Sequence, residues 1–125
     1  MAPFAGPEVN VMQDCIFCKV VAGELPTKTL YEDDDVMAFA DISPQAPVHA
    51  LVVPKNHLGT VEDLGPDDLA VVAHMIHAAQ RLARKLGVSA SGYRLVINTG
   101  ADATQTVPHL HMHLLGGRPL EPKLG

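Results

Sequence analysis

Hydrophobic and polar positions are ordered most strictly in "HLHMHLL", residues 109–115. His109, His111 and His113 alternate there with Leu110, Met112 and Leu114. In a strand, residues i, i+2 and i+4 share a face, so the three rings point one way and the three apolar chains the other. A helix would scatter the rings around its axis, and Pro108 suits a strand start. "VHALVVP" (48–54) is nearly all apolar and predicts a central strand buried on both faces. "TKTLYE" and "VMAFAD" read as two strands joined by an acidic hairpin, and "YRLVIN" as another.

The one long helix is "GPDDLAVVAHMIHAAQRLARKLG". Pro66 stands at its first helical position, acids fill its first turn, Arg84 and Lys85 its last, and Gly87 stops it. Leu69, Val72, Ile76, Ala79, Ala83 and Leu86 recur at three- and four-residue steps and predict one apolar stripe lying across a sheet. A short helix, "CIFCKVVAG", is expected to be capped by Asp14 and stopped at Gly23. The order α-β-β-β-α-β-β, with short β-β links, predicts an α+β domain. Its sheet should be about five-stranded and mainly antiparallel, with one long and one short helix.

Composition narrows the functional classes. The chain has 125 residues, enough for one core, and 47% apolar residues argue for a globular domain. Nine basic residues against fourteen acidic ones give −5, which disfavours nucleic-acid or membrane partners but permits a local anion site. No apolar run reaches the length of a membrane span. "MAPFAGPEVNVMQD" has neither the basic nor the apolar region of a signal peptide. The expectation is a disordered extension over 1–13, a single domain over 14–125, and a cytoplasmic location. Cys15 and Cys18 are then reduced thiols, metal ligands or both.

Neighbouring rings on one strand face would lie roughly 6.5–7 Å apart. Two charges at that distance repel by roughly 2–2.5 kcal/mol at an effective dielectric of about 20, so the three rings cannot all be cationic near neutral pH. A mixed state leaves neutral rings able to attack or to bind metal beside rings able to donate hydrogen bonds. A metal site is the rival reading of the same alternation. The loop "NTGADATQTVPH" supplies Asn98, Gly100, Thr104, Gln105 and Thr106, whose amide, hydroxyl and backbone donors suit phosphate oxygens. His57, after "PKN", reads as a turn or surface residue. His74 and His77 on the long helix read as exposed or at a subunit contact, without chemistry.

"HLHMHLL" fits the His-x-His-x-His-x-x pattern of the histidine triad (HIT) family. "DCIFCKVVAGELPTKTLYEDDDVMAFADISPQAPVHALVVPKNHL" and "GYRLVINTGADATQTVPHLHMHLLGGR" resemble its Hint branch, the purine nucleoside phosphoramidases, over about residues 14–118. The resemblance implies a HIT-like fold, a homodimer with a ten-stranded sheet, and hydrolysis of P–N bonds in AMP- or GMP-linked amines. It implies that His111 is the nucleophile that becomes nucleotidylated, with His49 and His109 in a supporting relay and His113 near the phosphate. Asn98, Thr104, Gln105 and Thr106 would lie at the phosphate, Asp41 at the ribose with Ile42 nearby, and Phe17 and Leu51 against the base. No cofactor would be needed for the chemistry. A structural zinc on Cys15, Cys18, His49 and His109 is the implied metal site. The same motif serves dinucleoside polyphosphate hydrolases, and a non-catalytic nucleotide- or zinc-binding interaction protein is a third reading.

Three departures stand out. Ala103-Thr104-Gln105-Thr106 replaces a common Gly-Gly-Gln-Ser, Pro108 removes an N–H donor, and the chain has no tryptophan for its tail to place in a partner's site.

Overall fold

A computed structural model describes residues 14–123; the extension expected over 1–13 lies outside the described residues. Helix α1 (Ile16–Val21) opens the domain. Its N-cap is Cys15 and not Asp14: the Cys15 sulfur accepts from the Cys18 N–H at 3.3 Å. Gly23, at φ 80°, lets the chain leave the helix in the left-handed region.

Strands β1 (Thr29–Glu32), β2 (Val36–Ala40), β3 (Val48–Pro54), β4 (Tyr93–Val96) and β5 (Met112–Gly116) form one sheet of order β1-β2-β3-β5-β4. Every neighbouring pair is antiparallel. Asp33 sets the β1–β2 hairpin by accepting from the N–H groups of Asp35 and Val36, so the acidic run has a turn-forming member. Between β3 and β4 lie two 3-10 turns, Val61–Asp63 and Pro66–Asp68, followed by α2 (Leu69–Lys85). Pro66 thus starts a 3-10 turn, and the α-helix begins three residues later.

Two apolar layers flank the sheet. Helix α2 packs Met75, Ala78, Ala79, Leu82 and Ala83 against Ala50, Val52, Leu110, Met112 and Leu114. Helix α1 lays Phe17, Cys18 and Val20 on Met37, Phe39, Leu51 and Val53 of the other face. β2 and β3 are therefore covered on both sides, as the unbroken apolar run of β3 predicts. The helix stripe differs from expectation. Leu69 and Ile76 are exposed, while Met75, Ala78 and Leu82 are fully buried. Ala79 and Ala83 are buried and Val72 and Leu86 pack against the same core as the stripe predicts, so the sheet shifts only the edges of the buried face, and its alanines let α2 approach closely. Burying Met75 or Leu82 stabilises by roughly 1.5–3 kcal/mol each.

The last strand is shorter than its alternation. Its ladder begins at Met112, because the chain before it is in bends: the His109 N–H bonds back to the Val107 carbonyl and that of Leu110 to the Leu58 carbonyl. The division of faces persists through these bends. Leu110 joins Met112 and Leu114 under α2, and His109 and His111 lie against Phe17 on the α1 face.

Candidate active site

The hydrogen bonds of the four site histidines fix which nitrogen of each carries a proton. A carbonyl can only accept and a backbone N–H can only donate. His111 Nδ1 lies 2.7 Å from the His109 carbonyl, so Nδ1 is protonated and donates, and a lone pair on this ring belongs to Nε2. His109 Nε2 donates to the Pro54 carbonyl at 2.9 Å, which leaves its lone pair on Nδ1. The Gln45 N–H donates to His49 Nδ1 at 3.0 Å, so the His49 proton sits on Nε2. That Nε2–H donates to His113 Nδ1 at 2.9 Å, with Asp41 Oδ2 3.4 Å away as a second acceptor. His113 is thereby left with its proton on Nε2, free for another partner.

Burial holds two of these rings neutral. Desolvation lowers His109 to about 4, aided by the nearby His57 and His111 rings and opposed by its bond to the Pro54 carbonyl. His113 also falls to about 4, again first through burial, then through His111 and His49, with Asp41 opposing. The sequence argument reached a partly neutral cluster from ring–ring repulsion. In the folded chain, loss of water is the larger cause.

His109 Nδ1 faces the thiols, 3.2 Å from the Cys15 sulfur and 3.5 Å from that of Cys18. His57 Nδ1 lies 3.3 Å from the Cys18 sulfur. These four ligand atoms lie within 4.8 Å of one another. A tetrahedral zinc with its usual bond lengths to sulfur and imidazole nitrogen would place S and N ligands roughly 3.5 Å apart, so the set fits a closed structural site. The fourth candidate ligand in this set is His57, in place of the expected His49. The register explains why. Leu51 pairs with His113 and His49 with Leu115. His109 therefore falls level with the far end of β3, where its ring reaches the Pro54 carbonyl. His49 is five residues back along the strand from Pro54, roughly 16 Å by strand rise. The expected double duty of His49 as relay and ligand does not arise.

A second group, Asp41, His49 and His113, also brings its ligand atoms within 4.8 Å. It does not fit a metal. His49 presents a proton at Nε2, and the His113 Nδ1 lone pair accepts it. This group is a hydrogen-bond chain.

The rings face two cavities. A mostly apolar cleft of about 480 Å³ is lined by Phe17, Phe39, Leu51, Asp41, Thr106 and His111, among others. Ile42 stands at its rim, 94% exposed, and Phe17 meets His111 edge-on with ring centroids 5.1 Å apart. Asp41 also caps its own turn, Oδ1 accepting from the Ser43 N–H. A larger cavity of about 700 Å³ is lined by His49, Asn98, Thr104, Arg94 and Arg118. His113 lines both.

Gln105 is placed differently from the expectation of a phosphate contact. Its amide nitrogen donates to the carbonyls of Gly59 and Val107, and its oxygen accepts from the Gly100 N–H. This side chain braces the loop. Thr104 holds φ at 63° in a position where the related motif has glycine, and its hydroxyl donates to the Ala103 carbonyl. The sequence reading missed His57, Arg94 and Arg118. A histidine just past a buried strand end was the available signal for His57. The arginines lay within strand and tail patterns that carry no chemical signature.

Comparison with known proteins agrees with this fold. A HIT domain model matches residues 22–120. The purine nucleoside phosphoramidase of Escherichia coli K12 is 45% identical over 112 residues, covering 90% of this chain and 94% of that one. A HIT family hydrolase from Legionella pneumophila superposes with a TM-score of 0.87 at 44% identity, covering 90% of this chain and all of that one. A zinc-bound histidine triad family protein from Mycobacterium smegmatis gives 0.72 at 36% identity, covering 84% of this chain and 76% of that one. With the triad, the five-stranded antiparallel sheet and the long helix in place, this chain belongs to the HIT family.

Proposed function

We propose that the protein hydrolyses the P–N bond of purine nucleoside 5'-phosphoramidates through a nucleotidyl intermediate on His111. The observation that carries this reading is the pinned tautomer of His111. Its Nδ1–H is held by the His109 carbonyl, so its Nε2 lone pair serves a cleft sized for a nucleoside. Asp41 at that cleft suits ribose hydroxyls, and Phe17, Phe39 and Leu51 suit a base. The similarity to the Escherichia coli phosphoramidase supports the same chemistry.

His111 Nε2 forms a bond to phosphorus as the P–N bond breaks, and its electron pair goes to the departing nitrogen. That nitrogen takes a proton, for which His113 Nε2–H is the placed donor. His49 holds the His113 tautomer through Nδ1, and water in the open cavity returns a proton to His113 as it gives one up. Water then adds to phosphorus, the pair returns to His111 Nε2, and the proton taken up is released. The sum is amine plus nucleoside monophosphate. Zinc on Cys15, Cys18, His57 and His109 would clamp α1 to the triad segment and takes no part in these steps.

A homodimer through β4 suits the fold, because the outer edge of β4 has no partner strand among the described residues. No helix among the described residues is long and apolar enough to cross a membrane. Neither cysteine forms a disulfide among the described residues, which suits a reducing, cytoplasmic setting. The decisive experiment is His111→Ala on a fluorogenic AMP-amine. Turnover should fall by at least about a thousandfold, and activity near the wild-type rate would refute the nucleophile.

A further inference from the structure

Cys15 and Cys18 bracket two residues of the nucleoside cleft. Ile16 and Phe17 lie between them in sequence, and both line that cleft, where Phe17 also meets His111 edge-on. The two sulfurs therefore sit at the ends of the turn that carries one wall of the cleft. Cys15 is the N-cap of α1 and Cys18 its third residue. Cα atoms three apart across a helical turn are roughly 5 Å from one another, inside the span that a disulfide bridges. The two sulfurs belong to the set of ligand atoms that all lie within 4.8 Å of one another, so side-chain rotation brings them to bonding distance. They are not joined among the described residues. Their exposure is unequal: Cys15 keeps 5% of its surface and Cys18 none. A small oxidant therefore meets Cys15 first, and Cys18 is the thiol behind it.

We propose that Cys15 and Cys18 form a redox modification site: peroxide closes a disulfide across the first turn of α1, which releases the metal of the Cys–His cluster and reshapes the base wall of the cleft, so that nucleotide binds more weakly. The proposal rests on the nucleoside reading of that cleft. The chemistry balances with hydrogen peroxide as the oxidant. The Cys15 sulfur attacks one peroxide oxygen, the O–O bond breaks, and the departing hydroxide leaves as water with the thiol proton. Cys15 is then a sulfenic acid. The Cys18 sulfur attacks that sulfur, the S–S bond forms as the S–O bond breaks, and a second water leaves with the Cys18 proton. Two thiols lose two electrons in all, and one peroxide becomes two waters. From metal-bound thiolates the electron count is the same, and solvent supplies the two protons. Joined sulfurs are no longer thiolate ligands, so only His57 and His109 remain of the set, too few for a closed zinc site. Bonding also draws the sulfurs from the roughly 3.8 Å of a tetrahedral zinc pair to about 2 Å, which tightens the turn between them. Phe17 sits on that turn, and its ring packs edge-on against Phe39, His109 and His111. A disulfide that moves Phe17 acts on the base wall and on the ring of the nucleophile together.

The test uses full-length, zinc-loaded protein treated with excess hydrogen peroxide and then with dithiothreitol and zinc. The quantities read are the reactive thiols of the denatured chain, the zinc released to a chromogenic indicator, and the Kd for AMP by calorimetry. Both thiols should disappear, with the loss of two hydrogens from the peptide that carries them. A full equivalent of zinc should appear, and Kd should rise roughly tenfold. Dithiothreitol with zinc should restore all three. Protein stripped of zinc by a chelator but kept reduced should bind AMP within about threefold of the loaded protein, which separates the disulfide from the metal. In Cys15→Ser and Cys18→Ser the Kd should not respond to peroxide; if either variant fails to fold, the reversal in the wild type carries the same comparison. Thiols that survive peroxide overturn the proposal. So does a sulfinic or sulfonic acid at either cysteine, which dithiothreitol cannot reduce. A disulfide formed with zinc retained, or with Kd unchanged, overturns it too. Chelated, reduced protein that binds AMP as weakly as the oxidised form assigns the effect to the metal and overturns it. Reduced protein that binds no AMP removes the nucleoside reading and the coupling with it; the thiol count and zinc release are read without AMP and still decide the disulfide.

Discussion

His109 and His113 are four residues apart on one segment, and burial brings both to about 4. Their roles are opposite. His109 is fully buried, spends its proton on the Pro54 carbonyl, and turns a lone pair toward two thiols. His113 lines both cavities, spends its lone pair on His49, and keeps a proton to give. The same residue type becomes a ligand at one end and a donor at the other because a different neighbour occupies one nitrogen of each ring. His111 lies between them, oriented by the carbonyl of His109 and stacked edge-on with Phe17 and His113.

The comparison breaks most visibly at the metal. His57→Ala or Cys18→Ser should abolish bound zinc and cost several kcal/mol in chemical denaturation of zinc-loaded protein. His49→Ala should keep a full equivalent of zinc by elemental analysis. Zinc lost with His49 and kept without His57 would reverse the assignment. At the other end, His49→Ala should lower kcat by about a hundredfold through loss of the tautomer lock on His113. An unchanged kcat in zinc-replete His49→Ala would remove the hydrogen-bond chain from the mechanism.

Acid sharpens the comparison further. Both rings bind protons more weakly folded than unfolded, where the ordinary value is near 6.5. Between about pH 6.5 and 4 the unfolded chain therefore holds more protons, and stability falls as pH is lowered through that window. The urea midpoint of metal-free protein should be flat above pH 7 and drop below about 6. His113→Asn should flatten part of that drop. The smallest effect lies in the loop beside His113. Thr104→Gly relieves a β-branched residue at φ 63° while adding freedom to the unfolded chain. The expected net change is a gain of about 0.5–1 kcal/mol, read as a rise of a few degrees in Tm, and a fall in Tm would show the Thr104 hydroxyl bond to be the stronger effect.

The sequence by itself determined the class of the domain, the five strands, the two helices and the division of the triad segment into a ring face and an apolar face. Those features follow from periodicity, which is local. It also placed His111 among donors and the phosphate-like loop before it. It put Leu69 and Ile76 in the buried stripe of α2, Asp14 at the N-cap of α1 and His49 in the candidate metal set. The edges of the helix stripe and the cap were decided by contacts: the sheet covers Met75, Ala78 and Leu82 and leaves Leu69 and Ile76 out, and the Cys15 thiol takes the cap by accepting from the Cys18 N–H. Only the tertiary structure could choose His57 over His49, since the choice depends on the pairing of Leu51 with His113 across the sheet. A shift of that register would move every histidine to other neighbours, and nothing local in "HLHMHLL" records it. Proton placement was likewise beyond the sequence, because each tautomer is set by a carbonyl or N–H that arrives from another segment or from the exact bend of its own.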